Sequence, residues 1–387
     1  MSESPRLEQY RRSRHTALLV GVLALAICAA LAPRALPQVL RSYLIGWLFF
    51  LGLSLGSMAA LMMHHLTGGG WSAPVHRYFA AALAPLPLLA LLFIIPVLGA
   101  PQLFPWAGPQ PSAVALAKAW YLGRGFFELR AALVLTSWIV LALLLRRGQH
   151  LIGVSALGLI VYILSMTVAA VDWIGSLEPR WSSTALGLVV VTGQGLLAFA
   201  FATLCATLSD IQAARTHTQQ PPRVLSAERC GDLGNLLLAF VMTWAYLAFV
   251  QFLIIWAEDL PRETVWYLPR LAGGGGALAL ALILLQFALP FVLLLFRDLK
   301  RNPRMLTGIA ALLLLAGWLN VVWLIAPSLA GSQQPALHWA DVIATIGIGG
   351  LWLHAFLRGL ASRPEPVVAT SSTPADRSVE DGAAGRS

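Results

Sequence analysis

Charge is what this chain has least of. Only 11% of its residues are charged against 58% hydrophobic, and the mean hydropathy is +0.75. A soluble domain ordinarily carries about a quarter charged residues, so no sizeable soluble domain is expected. Cysteine is scarce too. Cys28, Cys205 and Cys230 have no CxxC spacing, which argues against a disulfide framework, a thiolate metal site or an iron–sulfur cluster. Histidine is badly placed for membrane haem. His64 and His65 end an apolar run and only His354 lies within one, so paired axial ligands at matched depth are not expected. A phosphate-binding glycine loop is also missing, since Gly273 to Gly276 lack the required spacing. No nucleophile–base pair stands out. These absences leave a chain with no redox, metal or nucleotide centre of its own.

What is present is apolar length. A bilayer core takes about 20 mostly apolar helical residues to cross. The sequence predicts ten such spans, near 16–32, 43–65, 78–98, 126–145, 151–171, 184–208, 233–256, 275–295, 306–326 and 339–357. The net charge of +9 then reads as topology rather than nucleic-acid binding. With the N-terminus inside, Lys and Arg are about twice as frequent on the inner loops as on the outer ones. Both termini are expected in the cytoplasm. The first span resembles a signal peptide, with Arg11, Arg12 and Arg14 before an apolar run ending Ala30-Leu31-Ala32, but Pro33 favours a retained anchor.

Loop lengths suggest the domain plan. The fold class is all-α integral membrane, with an anchor span over 1–42, a first four-helix bundle (spans two to five) over 43–172 and a second (spans six to nine) over 173–326. The last span falls in 327–361, and the tail 362–387 mixes Pro, Ser, Thr, Ala and acids in a pattern that predicts disorder. The loop 209–231, with Gln219-Gln220-Pro221-Pro222 at its middle, divides the chain. Gly52, Gly56 and Ala60 on span two allow close approach of another helix. The outer loop 99–125 has room for a surface helix around Val114–Leu122. Trp106, Trp120, Tyr121, Trp173, Trp181, Trp256, Trp266, Tyr267 and Trp339 gather at outer ends, where an interfacial belt is the expected role.

Polar groups enter the apolar runs in two stripes. On span seven, Asp232, Asn235, Ala239, Thr243, Tyr246 and Val250 fall within roughly 80° of arc. Asp232 to Tyr246 covers about 21 Å at the helical rise. Such a line, headed by a carboxylate, suits a proton half-path from the cytoplasm; the competing reading is mutual satisfaction in a helix interface. On span five, Ser155, Tyr162, Ser165 and Asp172 share about 100° of arc, with the acid at the outer end. An acid at that depth costs several kcal/mol unless paired or hydrated, so Asp172 is a functional candidate whose alternatives are pairing with Arg180 or capping the surface turn. Gln251 and Glu258 form a short polar run near the outside.

Several passages together carry a family resemblance. They are Tyr43-Leu44-Ile45-Gly46-Trp47 through His64-His65-Leu66-Thr67-Gly68-Gly69, Lys118 to Arg130, Asp172-Trp173-Ile174-Gly175-Ser176-Leu177-Glu178-Pro179-Arg180-Trp181, and Asn235 through Glu258-Asp259-Leu260-Pro261. They resemble the ActF membrane subunit of bacterial alternative complex III, a relative of the NrfD-like proteins, over roughly 40–330. The pattern differs at Ala80 and Ala84, where the family often bears an acid and an arginine, and at Gly123-Arg124-Gly125 before Phe126-Phe127. The resemblance implies a ten-helix, cofactor-free subunit of a respiratory quinol:cytochrome c oxidoreductase in the bacterial inner membrane. It implies an NrfD-like sister subunit, an iron–sulfur subunit and a multihaem cytochrome c subunit as partners, with haem c, iron–sulfur clusters and quinol held there. Asp172, Glu178, Asn235, Gln251, Glu258 and Asp259 match its motifs, and Glu178, Arg180, Trp181 and Asp259 are the partner-contact candidates. Direct quinol binding by this subunit is the alternative. A secondary transporter is disfavoured because paired broken helices are not seen in the two blocks.

Overall fold

The computed structural model describes residues 5–148, 150–216, 225–329 and 337–362. The expected disorder after Ser362 and the middle of the 209–231 loop therefore lie outside the described residues. Among those described there is no strand, and eight helices are long and apolar enough to cross a membrane. They are α1 (Pro5–Thr67), α2 (Arg124–Arg147), α3 (Leu151–Trp173), α4 (Leu186–Thr216), α5 (Ala227–Glu258), α6 (Gly273–Leu295), α7 (Pro303–Leu329) and α8 (Trp339–Ala361).

α1 is two spans, not one rod. Its helical angles break at Ala35 (φ −150°, ψ 49°), between Pro33 and Pro37. A continuous helix of its 63 residues would run about 95 Å. Instead both halves lie along the 23-residue α8. His354 Nδ1 meets the Arg14 carbonyl at 3.1 Å, while Trp352 donates to Ser54 at 2.9 Å, so residues 14 and 54 sit at one level. At the opposite end Asp341 pairs with Arg41 at 3.5 Å. The chain thus folds back, and predicted spans one and two correspond to the two limbs of α1. Glycine makes the approach possible. A Cβ on Gly21 would lie 2.9 Å from the Gly347 carbonyl oxygen, and one on Gly56 would overlap the Gln194 carbonyl of α4. The expected close approach at Gly56 is therefore made, and α4 is the helix that uses it.

The predicted span 78–98 is the one that differs. It is divided into short helices, His76–Ala81, Leu86–Leu92 and Ile94–Leu98. Proline is the cause. Pro85, Pro87 and Pro96 have no N–H and crowd the carbonyl four residues back. Pro96 leaves the Leu92 carbonyl without its helical donor, and the Tyr43 hydroxyl supplies one at 2.9 Å. Trp47 donates to the Leu89 carbonyl at 2.8 Å. Irregular backbone at membrane depth persists where protein satisfies it. The same chemistry shapes α6: Pro290 would clash with the carbonyl of Gln286, and the helix widens into a π turn over Ile283–Ala288. The loop helix expected at 114–122 is also two pieces, Ala113–Ala117 and Ala119–Leu122, offset at Lys118.

Candidate functional site at the tryptophan-rich end

The best-built polar site lies where α2, α3 and α5 end together. Asp172 closes the inner face of α3 and is 2% exposed. Its carboxylate receives two hydrogen bonds from Arg130 of α2, Nε at 2.7 Å and Nη2 at 2.9 Å. The third guanidinium nitrogen donates to the Tyr121 carbonyl at 2.8 Å. The guanidinium also lies 3.9 Å from the Tyr121 ring centroid and 4.4 Å from that of Phe126. Burial and the Asp172 charge push the Tyr121 phenol up to about 12. Arg180, the partner suggested by sequence proximity, instead binds Glu178 at 2.9 Å. Glu178 raises the Arg180 pKa through that bond. Two residues apart on a surface turn, that pair reaches itself more easily than a carboxylate facing inward.

Beside this ion pair opens a cavity of about 550 Å³. Its walls come from three stretches: Lys118 to Leu122, Val171 to Leu186, and Gln251 to Glu263. Lys118 Nζ donates to the Pro179 carbonyl at 2.7 Å, tying the first stretch to the second. Gln251 is 7% exposed and its side-chain carbonyl has no partner, although the side chain hydrogen-bonds to Tyr267. Trp181 is 3% exposed and its indole N–H is likewise unpartnered. Glu258, which lines the cavity, and Asp259 beside it in sequence make no ion pair among the described residues, and Asp259 ends α5 in the left-handed region (φ 47°).

Aromatic packing frames the site. Trp181 stacks on Trp266 with ring centroids 3.9 Å apart and planes at 12°. The Arg270 guanidinium sits 3.2 Å from the Trp266 ring centroid, fully buried, and donates to the carbonyls of Trp266 and Leu324 and to the Ser328 hydroxyl. Burial lowers its pKa, with the charges of Tyr267 and Glu178 opposing. Trp173 packs against Trp47, Phe93 and Trp138. The belt expectation is therefore corrected in part. Trp120, Trp256 and Trp339 are exposed, whereas Trp106, Trp173, Trp181, Trp266 and Tyr267 are buried in this packing. The inward face of each helix end, invisible to composition, selects between the two roles.

The two predicted stripes fare differently. The span-five stripe faces inward throughout. Ser155 meets His65 Nδ1 at 2.9 Å, the Tyr162 hydroxyl donates to Gln194 at 2.6 Å, and Ser165 accepts from Trp138 Nε1 at 2.8 Å before Asp172 is reached. The span-seven stripe faces outward. Asp232, Asn235, Thr243 and Tyr246 are all exposed on α5, Tyr246 by 65%. Asn235 accepts from Lys300 at 2.7 Å and Thr243 donates to its own helix at Ala239. Gln251 and Glu258, the separate short polar run near the outside, line the cavity.

Sequence reasoning missed the cations. Arg130, Arg41 and Arg270 were counted as loop charge, yet each is buried. Arg130 stands four residues inside the run 126–145, which was the available signal. Asp341 and Gln194 were also missed. Asp341 is fully buried, accepting from Ser42 and from the His338 backbone N–H as part of a capping box. Compared with known proteins, the chain matches no family model and no curated protein.

Proposed function

We propose that this chain is a cofactor-free membrane subunit of a respiratory quinol:electron-acceptor oxidoreductase of the alternative complex III type, docking redox subunits at its tryptophan-rich end. One observation carries the reading. The passages that resemble ActF are far apart in the chain, yet they meet at this end. Trp47 touches Trp173, Arg130 holds Asp172, Lys118 holds Pro179, and Gln251 and Glu258 close the cavity beside Trp181. Convergence of separated passages on one site supports a shared task for them. In this reading the chain makes ten crossings of a bacterial inner membrane with both termini cytoplasmic, as two four-helix bundles with spans one and ten outside them.

Proton conduction is part of the proposal in a modified form. The inward line of Ser155, Tyr162, Ser165 and Asp172 is the portion this chain carries within its own body. The outward line of Asp232, Asn235, Thr243 and Tyr246 is completed against the NrfD-like sister subunit, because hydroxyls facing lipid have no partner to pass a proton to.

Purification of the endogenous protein in mild detergent tests the assignment. We expect a multihaem cytochrome c and an iron–sulfur subunit to co-purify, visible as haem absorbance and as iron and sulfide. A colourless, monodisperse homo-oligomer without partners would overturn it.

A further inference from the structure

α7 ends beside Arg270 at the tryptophan-rich site and begins at Pro303, at the opposite end of the molecule. There a groove of about 570 Å³ opens between α4 and α7, lined by Leu208, Ile211, Gln212, Arg304 and Thr307. Thr307 donates to the Thr207 hydroxyl at 2.8 Å and joins the two helices at this level. Arg304 is the one charged side chain of that lining, it is exposed, and it makes no ion pair among the described residues. Asp210 of α4 stands on roughly the opposite face from Leu208, Ile211 and Gln212 at 100° per residue, and its charge acts on Cys230 of α5. The connection leading into α7 is basic, with Arg297, Lys300, Arg301 and Arg304 against a single carboxylate, Asp298. Two of these cations fasten the short helix Arg297–Arg301 to α5: Lys300 donates to Asn235 at 2.7 Å, and the Arg301 stem lies over Gly231. Arg297 and Arg304 stay exposed, and so do the apolar Leu295, Phe296, Met305 and Leu208 around them.

α6 and α7 are each long and apolar enough to cross a membrane, so the connection between them falls at a bilayer surface, the depth of lipid headgroups. Exposed Leu208, Phe296 and Met305 suit acyl chains there. A guanidinium beside them suits a phosphate, which it binds through paired, charge-assisted hydrogen bonds. From this we infer that the groove between α4 and α7 binds the headgroup phosphate of an anionic phospholipid, with Arg304 as the cation in contact with it. Arg297 and the rest of the basic connection add attraction at longer range, about fivefold in affinity per cation near the membrane surface. In a choline lipid the ammonium next to the phosphate cancels that attraction, so net negative charge selects the ligand. The inference uses only the membrane-crossing helices and stands without the respiratory assignment.

The test titrates the full chain, delipidated in a neutral detergent, with phosphatidylglycerol and with phosphatidylcholine, and counts bound lipid by native mass spectrometry. Phosphatidylglycerol is expected to bind about tenfold more tightly than phosphatidylcholine. Arg304→Gln should weaken phosphatidylglycerol binding about tenfold and leave phosphatidylcholine unchanged. Arg304→Lys, which keeps the charge but not the planar fork, should fall between the two. Arg358→Gln, at the exposed basic residue in the last turn of α8, is the control and should change neither affinity by more than about twofold. Equal affinities for the two lipids, or an Arg304→Gln protein that matches the Arg358 control, would overturn the inference. Displacement of phosphatidylglycerol by an equal concentration of glycerol 3-phosphate would also overturn it, since the groove would then serve a soluble phosphate rather than a lipid.

Discussion

The buried pair Arg130–Asp172 makes a quantitative prediction. Both side chains are withdrawn from water, at 10% and 2% exposure, and joined by two short hydrogen bonds. Removing one partner strands an uncompensated charge, which costs about 3–5 kcal/mol at a buried pair. Arg130→Met keeps most of the side-chain volume and leaves the Asp172 carboxylate alone. Asp172→Asn keeps the shape and leaves the guanidinium without its counter-charge. At roughly 1.2 °C of Tm per kcal/mol for a chain of 387 residues, each single variant should lose on the order of 4–6 °C. The double variant carries neither charge, so the pairwise coupling should return at least ~1.5 kcal/mol relative to additivity. Thermal unfolding of the four proteins in one detergent completes the cycle. Arg180→Gln, which breaks the exposed pair with Glu178, is the control and should cost less than about 1 kcal/mol. Additive single losses, or singles no worse than the Arg180 control, would refute the assignment of Asp172 as a paired structural carboxylate.

Two further outcomes follow from the core. Tyr162→Phe removes the donor to a buried Gln194 and should lower stability by about 1–3 kcal/mol, measured by the same unfolding assay; a change under ~0.5 kcal/mol would mean that Gln194 finds another partner. The fold-back at Ala35 places Cys28, Val39 and Ala344 in one buried cluster, so Ala344→Cys should form a disulfide or short cross-link with native Cys28 on mild oxidation, and with Val39→Cys once Cys28 is replaced by Ser. Absence of both cross-links in folded protein would argue against the hairpin.

Much of this architecture was legible in the chain itself. Apolar runs of crossing length dictate helices because a backbone in hydrocarbon has to satisfy its own hydrogen bonds, and that requirement is local. It located every span from 126 onward, with ends that differ from the helices by up to eight residues, and it exposed both polar stripes as periodic features. Proline was legible as a residue but not as an outcome: Pro33 and Pro37 produce a reversal, Pro85, Pro87 and Pro96 a broken span, and Pro290 only a π turn. Which of these follows depends on whether a neighbour, such as Tyr43 against the Leu92 carbonyl, can take up the freed group. Orientation was beyond the sequence for the same reason. The stripes on α3 and α5 look alike as periodic patterns, yet one faces Gln194 and Arg130 and the other faces outward. Periodicity fixes which residues share a face of a helix, while only the packing of eight helices decides what that face meets. The same holds for Asp172, whose partner lies 42 residues away rather than eight: charge identity is written locally, and charge pairing is decided by tertiary distance.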